Sequence, residues 1–297
     1  MKIRKAVIPA AGLGTRVLPA TKAQPKEMLV LVDKPSLQYI VEELVASGIE
    51  EIVIVTGRNK NSIEDHFDYS YELENTLEKE GKKELLSKIE KISTMAKIFY
   101  VRQNRPLGLG HAILKAKPFI GEEPFVIALG DDIMDNEKYP VTKQLINIYE
   151  KYGYSVLGCQ EVSLDNVSKY GIVKPLKELD NETCLVEDFV EKPSAEAAPS
   201  RIACLGRYLL SYKIFEYLEK EKMGVGGEIQ LTDGILDMIK DGEQVVAYNF
   251  HGKRYDIGSK MGLLKANIEL GLKNKETSDE LKEYLNNELK DFMSELK

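Results

Sequence analysis

Short apolar runs alternate with stretches of helical periodicity through the first half of the chain. Ala6-Val-Ile-Pro-Ala10 reads as a buried strand that ends at the turn containing Gly12 and Gly14. Leu37, Ile40, Val41, Leu44 and Val45 recur at helical spacing, which predicts a helix over Pro35–Ser47 stopped by Gly48. Glu51-Ile-Val-Ile-Val-Thr56 is apolar on both alternating faces, as expected of a strand covered on each side. Residues 62–95 form a charged helical region broken near Gly81, with Leu85, Leu86, Ile89 and Ile92 on one stripe. Lys97-Ile-Phe-Tyr-Val101 and Pro124–Leu129 supply a third and a fourth strand, separated by a short helix after His111. Strand alternating with helix predicts an α/β fold with a parallel, doubly wound sheet.

Beyond a predicted helix at Val141–Tyr152 the pattern changes. Short β-like segments occupy 154–161, 171–175, 185–190 and 203–209, followed by helices near 213–220 and 229–240 and a strand at 245–250. From Thr277 a capping-box-like Thr-Ser-Asp-Glu280 opens a segment carrying Leu281, Leu285, Leu289, Phe292 and Leu296 on one helical face. The organisation expected is one mixed-sheet domain over residues 1–276, in halves 1–135 and 136–276, with an amphipathic helix over 277–297. That helix packs on its own body or on another subunit.

Composition narrows the function classes. Lys and Arg number 41 against 48 Asp and Glu, a net charge of −7, which argues against a nucleic-acid partner. The apolar run after Met-Lys-Ile-Arg-Lys is too short for a signal-peptide core, and no run approaches the ~18 apolar residues of a membrane span. The three cysteines, Cys159, Cys184 and Cys204, lack metal-site or disulfide spacing. A soluble cytoplasmic protein is expected, whose attraction for any anionic substrate must be local.

Candidate chemistry collects where strands end, because open α/β sheets bind ligands outside the carboxyl ends of their strands. Three loops lie there: Ala10–Arg16, Arg102–His111 and Gly130-Asp-Asp132. The first is neither a P-loop nor a dinucleotide fingerprint, since Val17 stands where the third glycine would fall, and alone it serves equally as a tight turn. Ala10, Ala11, Gly12, Gly14 and Thr15 followed by Arg16, Lys22 and Lys26 gather amides and cations as a polyphosphate requires. Asp131 and Asp132 read alone as a solvated turn; opposite a phosphate loop they read as Mg²⁺ ligands, with Asp256 a second carboxylate. The side-chain amide of Gln103 can pair with a nucleobase edge and Gly108 admits a flat ring. Glu191-Lys192 joins an acceptor for sugar hydroxyls to a cation for a phosphate, or forms a surface ion pair. His66, His111 and His251 are scattered and read as structural.

The ordered motifs Gly12-Leu-Gly-Thr-Arg16, Pro25-Lys-Glu-Met-Leu29, Gly108-Leu-Gly-His-Ala112, Gly130-Asp-Asp132, Tyr170-Gly-Ile-Val173, Val190-Glu-Lys-Pro193, Gly227-Glu-Ile-Gln-Leu-Thr-Asp233 and Tyr255-Asp-Ile-Gly258 resemble the bacterial UTP–glucose-1-phosphate uridylyltransferases, to about Lys273. The resemblance implies a Rossmann-like nucleotidyltransferase fold, mostly parallel in its mixed central sheet, dependence on Mg²⁺, and a homodimer or homotetramer. It implies that UTP and glucose 1-phosphate give UDP-glucose and pyrophosphate by direct displacement. Ala10, Ala11, Gly12, Gly14 and Thr15 would cradle the nucleotide, and Gln103 and Gly108 would read uracil. Asp131 and Asp256 would hold the metal, and Arg16, Lys26 and Lys192 would neutralise charge. Asp132, Gly171, Glu191 and Lys192 would take the sugar phosphate. A dTTP-dependent enzyme of the same kind, a Mg²⁺-dependent glycosyltransferase and an inactive sugar-nucleotide sensor are the rival readings.

Overall fold

The structure, a computed structural model, describes residues 2–220 and 227–295. The chain begins with β1 (Lys5–Ala10), a hairpin of β2 (Val30–Leu31) and β3 (Lys34–Pro35), α1 (Ser36–Ala46) and β4 (Glu51–Thr56). Three helices follow, α2 (Asn61–Phe67), α3 (Tyr71–Lys79) and α4 (Lys83–Thr94), then β5 (Lys97–Arg102). Next come α5 (Leu109–Lys115), α6 (Lys117–Ile120), β6 (Phe125–Ala128), β7 (Asp132–Asp135) and α7 (Val141–Tyr152). The second half holds β8 (Ser155–Glu161), β9 (Gly171–Glu178), β10 (Thr183–Glu191), β11 (Ile202–Leu210), α8 (Ile214–Lys220) and α9 (Leu231–Lys240). It continues through β12 (Val245–Asn249), β13 (Lys253–Asp256), α10 (Lys260–Gly271), α11 (Ser278–Asn286) and α12 (Glu288–Glu295).

Among the described residues one sheet runs in the order β5-β4-β1-β6-β11-β8-β12-β10-β9. The first four strands are parallel, as the strand–helix alternation predicts. β11 then lies antiparallel to both β6 and β8, which makes the sheet mixed. Side chains alternate between two buried layers with the period of two that a strand imposes. Ala6, Ile8, Ile52 and Ile54 join α1 and α7 on one face, while Val7, Val53 and Val55 join residues of α5, α8 and α9 on the other. Burial on both faces explains the continuous apolar runs of β1 and β4. β5 is the sheet edge, and its Phe99 and Tyr100 remain exposed.

A buried ion pair ties the halves together. Arg207 of β11 is fully buried, and its Nε and Nη2 donate to Oε2 of Glu43 on α1 at 2.9 and 2.5 Å. The other oxygen of Glu43 accepts from the backbone and hydroxyl of Thr142 at the start of α7, at 2.9 and 2.7 Å.

Four features differ from the sequence expectations or extend them. The helical region over 62–95 breaks at residues 68–70 as well as near Gly81, and its stripe is only partly covered, with Leu85 exposed. The C-terminal face is split at Asn287 into α11 and α12; Leu281, Leu285 and Leu289 are half-buried, Phe292 is exposed, and Leu296 lies outside the described residues. The expected capping box does not form: Thr277 has helical rather than extended backbone (ψ −15°), its side chain accepts from no first-turn amide, and its hydroxyl donates to the Gly271 carbonyl at 2.8 Å. Two small sheets, β2–β3 and β7–β13, and the helix α10 had no strong periodic signal. Apolar side chains surround α10, with Ala266 and Leu270 buried but Met261, Leu264 and Ile268 exposed.

Glu43→Ala leaves the Arg207 guanidinium buried without its partner and should cost about 3–5 kcal/mol of stability in urea unfolding. A loss below about 1 kcal/mol would show that the pair does not organise the fold.

Candidate active site

The loop after β1 turns because Gly14 adopts φ 66°, a left-handed conformation that costs glycine little. A Cβ there would stand 3.2 Å from side-chain carbons of Lys26 and Thr21, so the loop packs tightly on the following turns. The Thr21 hydroxyl fixes it by donating to the Gly14 carbonyl at 2.7 Å. A cavity of about 420 Å³ opens here, lined among others by Gly12, Thr15, Lys26, Gln103, Gly108 and Asp131. The three predicted loops therefore meet in one place. Ala11 also lines the cavity, whereas Ala10 is fully buried in β1 and supports the loop from within. A neighbouring cavity of about 860 Å³ shares Gly12, Thr15 and Gln103 and adds Lys22, Arg58 and Arg102.

The charges at the cavity interlock. Lys26 Nζ lies 2.7 Å from Asp131 Oδ2, and Arg16 Nη2 reaches the same oxygen at 3.2 Å. Burial alone would push the Asp131 carboxyl up, but the Lys26 ammonium and the Arg16 guanidinium hold it below the usual range. Burial works against the charged Lys26 likewise; Asp131 and Glu27 overcome it and raise the ammonium. Behind this pair Glu27 is wholly buried, with Oε2 accepting from Lys60 Nζ at 2.7 Å and Oε1 unpartnered among the described residues. Gly130 packs against Glu27, its would-be Cβ 3.1 Å from Glu27 Cγ, which lets the Asp131 loop close down on the Lys26 turn.

The two adjacent aspartates face different partners. Asp132, at the start of β7, is almost fully buried and is gripped through Oδ1 by Arg254 of β13, whose Nε lies at 2.6 Å and Nη2 at 2.5 Å. Burial, with Asp131 and Asp256 nearby, pushes its carboxyl up to about 6 against the pull of Arg254. Asp256 stands opposite Asp132 in the β7–β13 ladder, with Oδ1 accepting from the Gly258 amide at 3.0 Å. The Ile257 amide donates to the Asp131 carbonyl at 3.0 Å, and a Cβ on Gly258 would stand 2.8 Å from Asp131 Oδ2. The Asp256 turn is thus seated against Asp131.

The second group gathers around Glu191. Gly171 pairs with it in register, and the Thr232 hydroxyl donates to Glu191 Oε2 at 2.5 Å. Lys192 has φ 46°, its amide donates to the Tyr170 carbonyl, and its largely exposed ammonium lies 3.0 Å from Glu191 Oε1. Gly171, Glu191, Lys192, Asp132 and Asp256 do not line the 420 Å³ cavity. Two bridges connect the groups. Arg254 Nη1 donates to the Tyr170 hydroxyl at 3.0 Å, and Ile229 exchanges backbone hydrogen bonds with Leu107 and Gly110, both at 2.8 Å. Glu27, Arg254 and Thr232 escaped the sequence reading; each sits beside or inside a motif, but only the folded partners expose its role.

The sequence profile of the nucleotidyl transferase family matches residues 5–271. The chain belongs to the nucleotidyl transferase family. Within the family it is 53% identical to the UTP–glucose-1-phosphate uridylyltransferase of Bacillus subtilis, over 94% of this chain and 95% of that protein. A UDP-glucose pyrophosphorylase complexed with UDP-glucose superposes with a TM-score of 0.84 at 44% identity, covering 92% of this chain and 100% of that one. A UTP-bound UGPase from Acinetobacter baumannii gives 0.88 at 40% identity, covering 96% and 99%. The fold expected of this family from the motifs is the fold found, a mixed α/β sheet flanked by helices. No described helix is long and apolar enough to cross a membrane.

Replacing Lys26 with Met removes the nearer cation from Asp131 and leaves burial to dominate. The Asp131 carboxyl should then titrate at higher pH than in the wild type, read by carbon-13 NMR of the carboxylate. An unmoved or lower midpoint would mean that Lys26 does not set the charge of Asp131.

Proposed function

We propose that this nucleotidyl transferase is a UTP–glucose-1-phosphate uridylyltransferase, making UDP-glucose and pyrophosphate. The observation that carries the reading is the Lys26–Asp131–Arg16 cluster at the mouth of the Gly12–Thr15 loop, in a chain whose curated relatives bear that activity. UTP occupies the 420 Å³ cavity, its phosphates on the amides of Gly12, Gly14 and Thr15 and on Arg16 and Lys26. Its uracil lies against Gln103 and Gly108. Glucose 1-phosphate docks at Gly171 and Glu191, with Lys192 meeting its phosphate. Asp132 serves by holding Arg254, and through it Tyr170, because its carboxylate is already engaged.

The chemistry needs no base. A phosphate monoester is largely dianionic near pH 7, its second pKa being about 6. An oxygen of the sugar phosphate attacks the α-phosphorus of UTP, the bond to pyrophosphate breaks, and no proton moves. The obstacle is the approach of two anions, so Arg16, Lys26 and Lys192 act by positioning and by neutralising charge. Mg²⁺ fits the site. Both cations engage Oδ2 of Asp131, no described hydrogen bond engages Oδ1, and the Asp256 turn rests against the same residue. Two carboxylates suit an ion that leaves its other positions to water and phosphate. Bound there, Mg²⁺ would polarise the phosphates and offset their charge.

A cytoplasmic homo-oligomer completes the proposal. Three free cysteines agree with a reducing compartment. The exposed stripe Met261, Leu264 and Ile268 on α10 gives an apolar surface for a second copy.

Pyrophosphate release measured with UTP, dTTP, ATP and CTP against several sugar 1-phosphates should be greatest for UTP with glucose 1-phosphate and be abolished by EDTA. Lys26→Ala should lower kcat by about 10²–10³-fold with its unfolding midpoint retained. Near-normal turnover in Lys26→Ala, or preference for another pair of substrates, would contradict the assignment.

A further inference from the structure

Gln103 follows β5 and is almost fully buried, with its amide oriented by two neighbours. Nε2 lies 3.1 Å from the Gly108 carbonyl and 2.9 Å from His111 Nδ1. The carbonyl can only accept, so the NH₂ group must face it, and the second N–H is then directed at Nδ1. His111 must therefore be neutral, with its proton on Nε2 and its Nδ1 lone pair toward Gln103. Burial favours the neutral ring, and Lys115 adds to that preference. His111 is buried on α5, whose start is pinned by the Gly110 amide bonding to Ile229, so the ring has a fixed seat.

With both donors engaged, the carbonyl Oε1 is the polar group Gln103 has left to offer the cavity it lines, and no described hydrogen bond reaches it. A lone acceptor distinguishes pyrimidines. Uracil offers N3–H, whereas cytosine offers a lone pair at N3, so an acceptor facing that edge attracts the first and repels the second. A freely rotating amide would serve either base, because it can donate or accept. We propose that His111 is a positioning residue for base selection: by taking the second Gln103 N–H it locks Oε1 toward the base and excludes cytosine. The proposal rests on the assignment of the base to Gln103 and Gly108. Replacing His111 with a residue that cannot accept leaves a buried N–H without a partner, and the amide gains reason to turn.

The test compares His111→Leu, His111→Asn and Gln103→Ala by steady-state kinetics with UTP and with CTP. Asn is included because its Oδ1 can stand near the place of Nδ1 and accept the same hydrogen bond. His111→Leu should raise KM for UTP about tenfold with a smaller change in kcat, and should narrow the UTP-to-CTP ratio of kcat/KM by about tenfold. His111→Asn should restore most of that ratio. A merely structural histidine would alter stability or turnover for all nucleotides while leaving the ratio unmoved, and that result overturns the proposal. Gln103→Ala separates the two layers: if it leaves the ratio unchanged, the placement of the base is wrong. If it collapses the ratio while His111→Leu does not, the placement holds and the role of His111 falls.

Discussion

The ion pair between Lys26 and Asp131 is the constraint on which the site depends. It joins the turn that follows the Gly-rich loop to the end of β6, two segments separated by 105 positions in sequence. Neither charge would be tolerated alone in so enclosed a place; each is kept ionised by the other, with Arg16 on the outer side and Glu27 behind. The pair thus stores an anion site and a cation site in mutual contact. On the proposed assignment, a polyphosphate accompanied by a divalent ion would replace both halves of this contact together, with Lys26 meeting phosphate oxygens and Asp131 holding the ion. That exchange would reconcile the net charge of −7 with binding of an anionic substrate.

The sheet explains why the pair sits where it does. β1 and β6 are parallel neighbours, so their carboxyl ends open at the same edge, and β4 and β5 add Gly57 and Gln103 there. β11 runs back against β6, its register with β8 shifts between Cys204 and Tyr208, and there Gly206, at φ 69°, lacks the Cβ that would stand 2.3 Å from Asp132 Oδ2. Asp132 can then turn inward to Arg254 while Asp131 turns outward to Lys26. Through Tyr170, Arg254 reaches the strand pair that carries Glu191; Ile229 before α9 and Thr232 in its first turn touch the Arg102–His111 loop and Glu191 respectively. These contacts add to the Glu43–Arg207 pair and to the β6–β11 and β7–β13 pairings, which also join residues 1–135 to residues 136–276.

Much of this was legible from the sequence because its strongest signals are local. Continuous apolar runs mark β1, β4 and β6, helical spacing marks α1 and α7, and glycines mark the loops at their ends. The convergence of three such loops follows from the rule for open α/β sheets. Pairing partners were not legible, since they depend on contacts between distant segments. Nothing near Asp132 in sequence announces Arg254; Gly108 and His111 do lie in the same loop as Gln103, but only the folded loop shows that they take its donors. The small β7–β13 sheet is too short to show alternation, and α10 hides its period behind exposed Met261, Leu264 and Ile268. The Thr277 box failed because the backbone at Thr277 is helical, not extended as a capping residue requires, and its side chain accepts from no amide of the first turn.

The most direct measurement is a crystal structure with a non-hydrolysable UTP analogue and Mn²⁺, the metal located by anomalous scattering. The account predicts an anomalous peak bonded to Asp131 and the Lys26 ammonium moved from its 2.7 Å contact onto a phosphate oxygen. A peak remote from Asp131, with the Lys26–Asp131 contact intact beside the bound triphosphate, would contradict it.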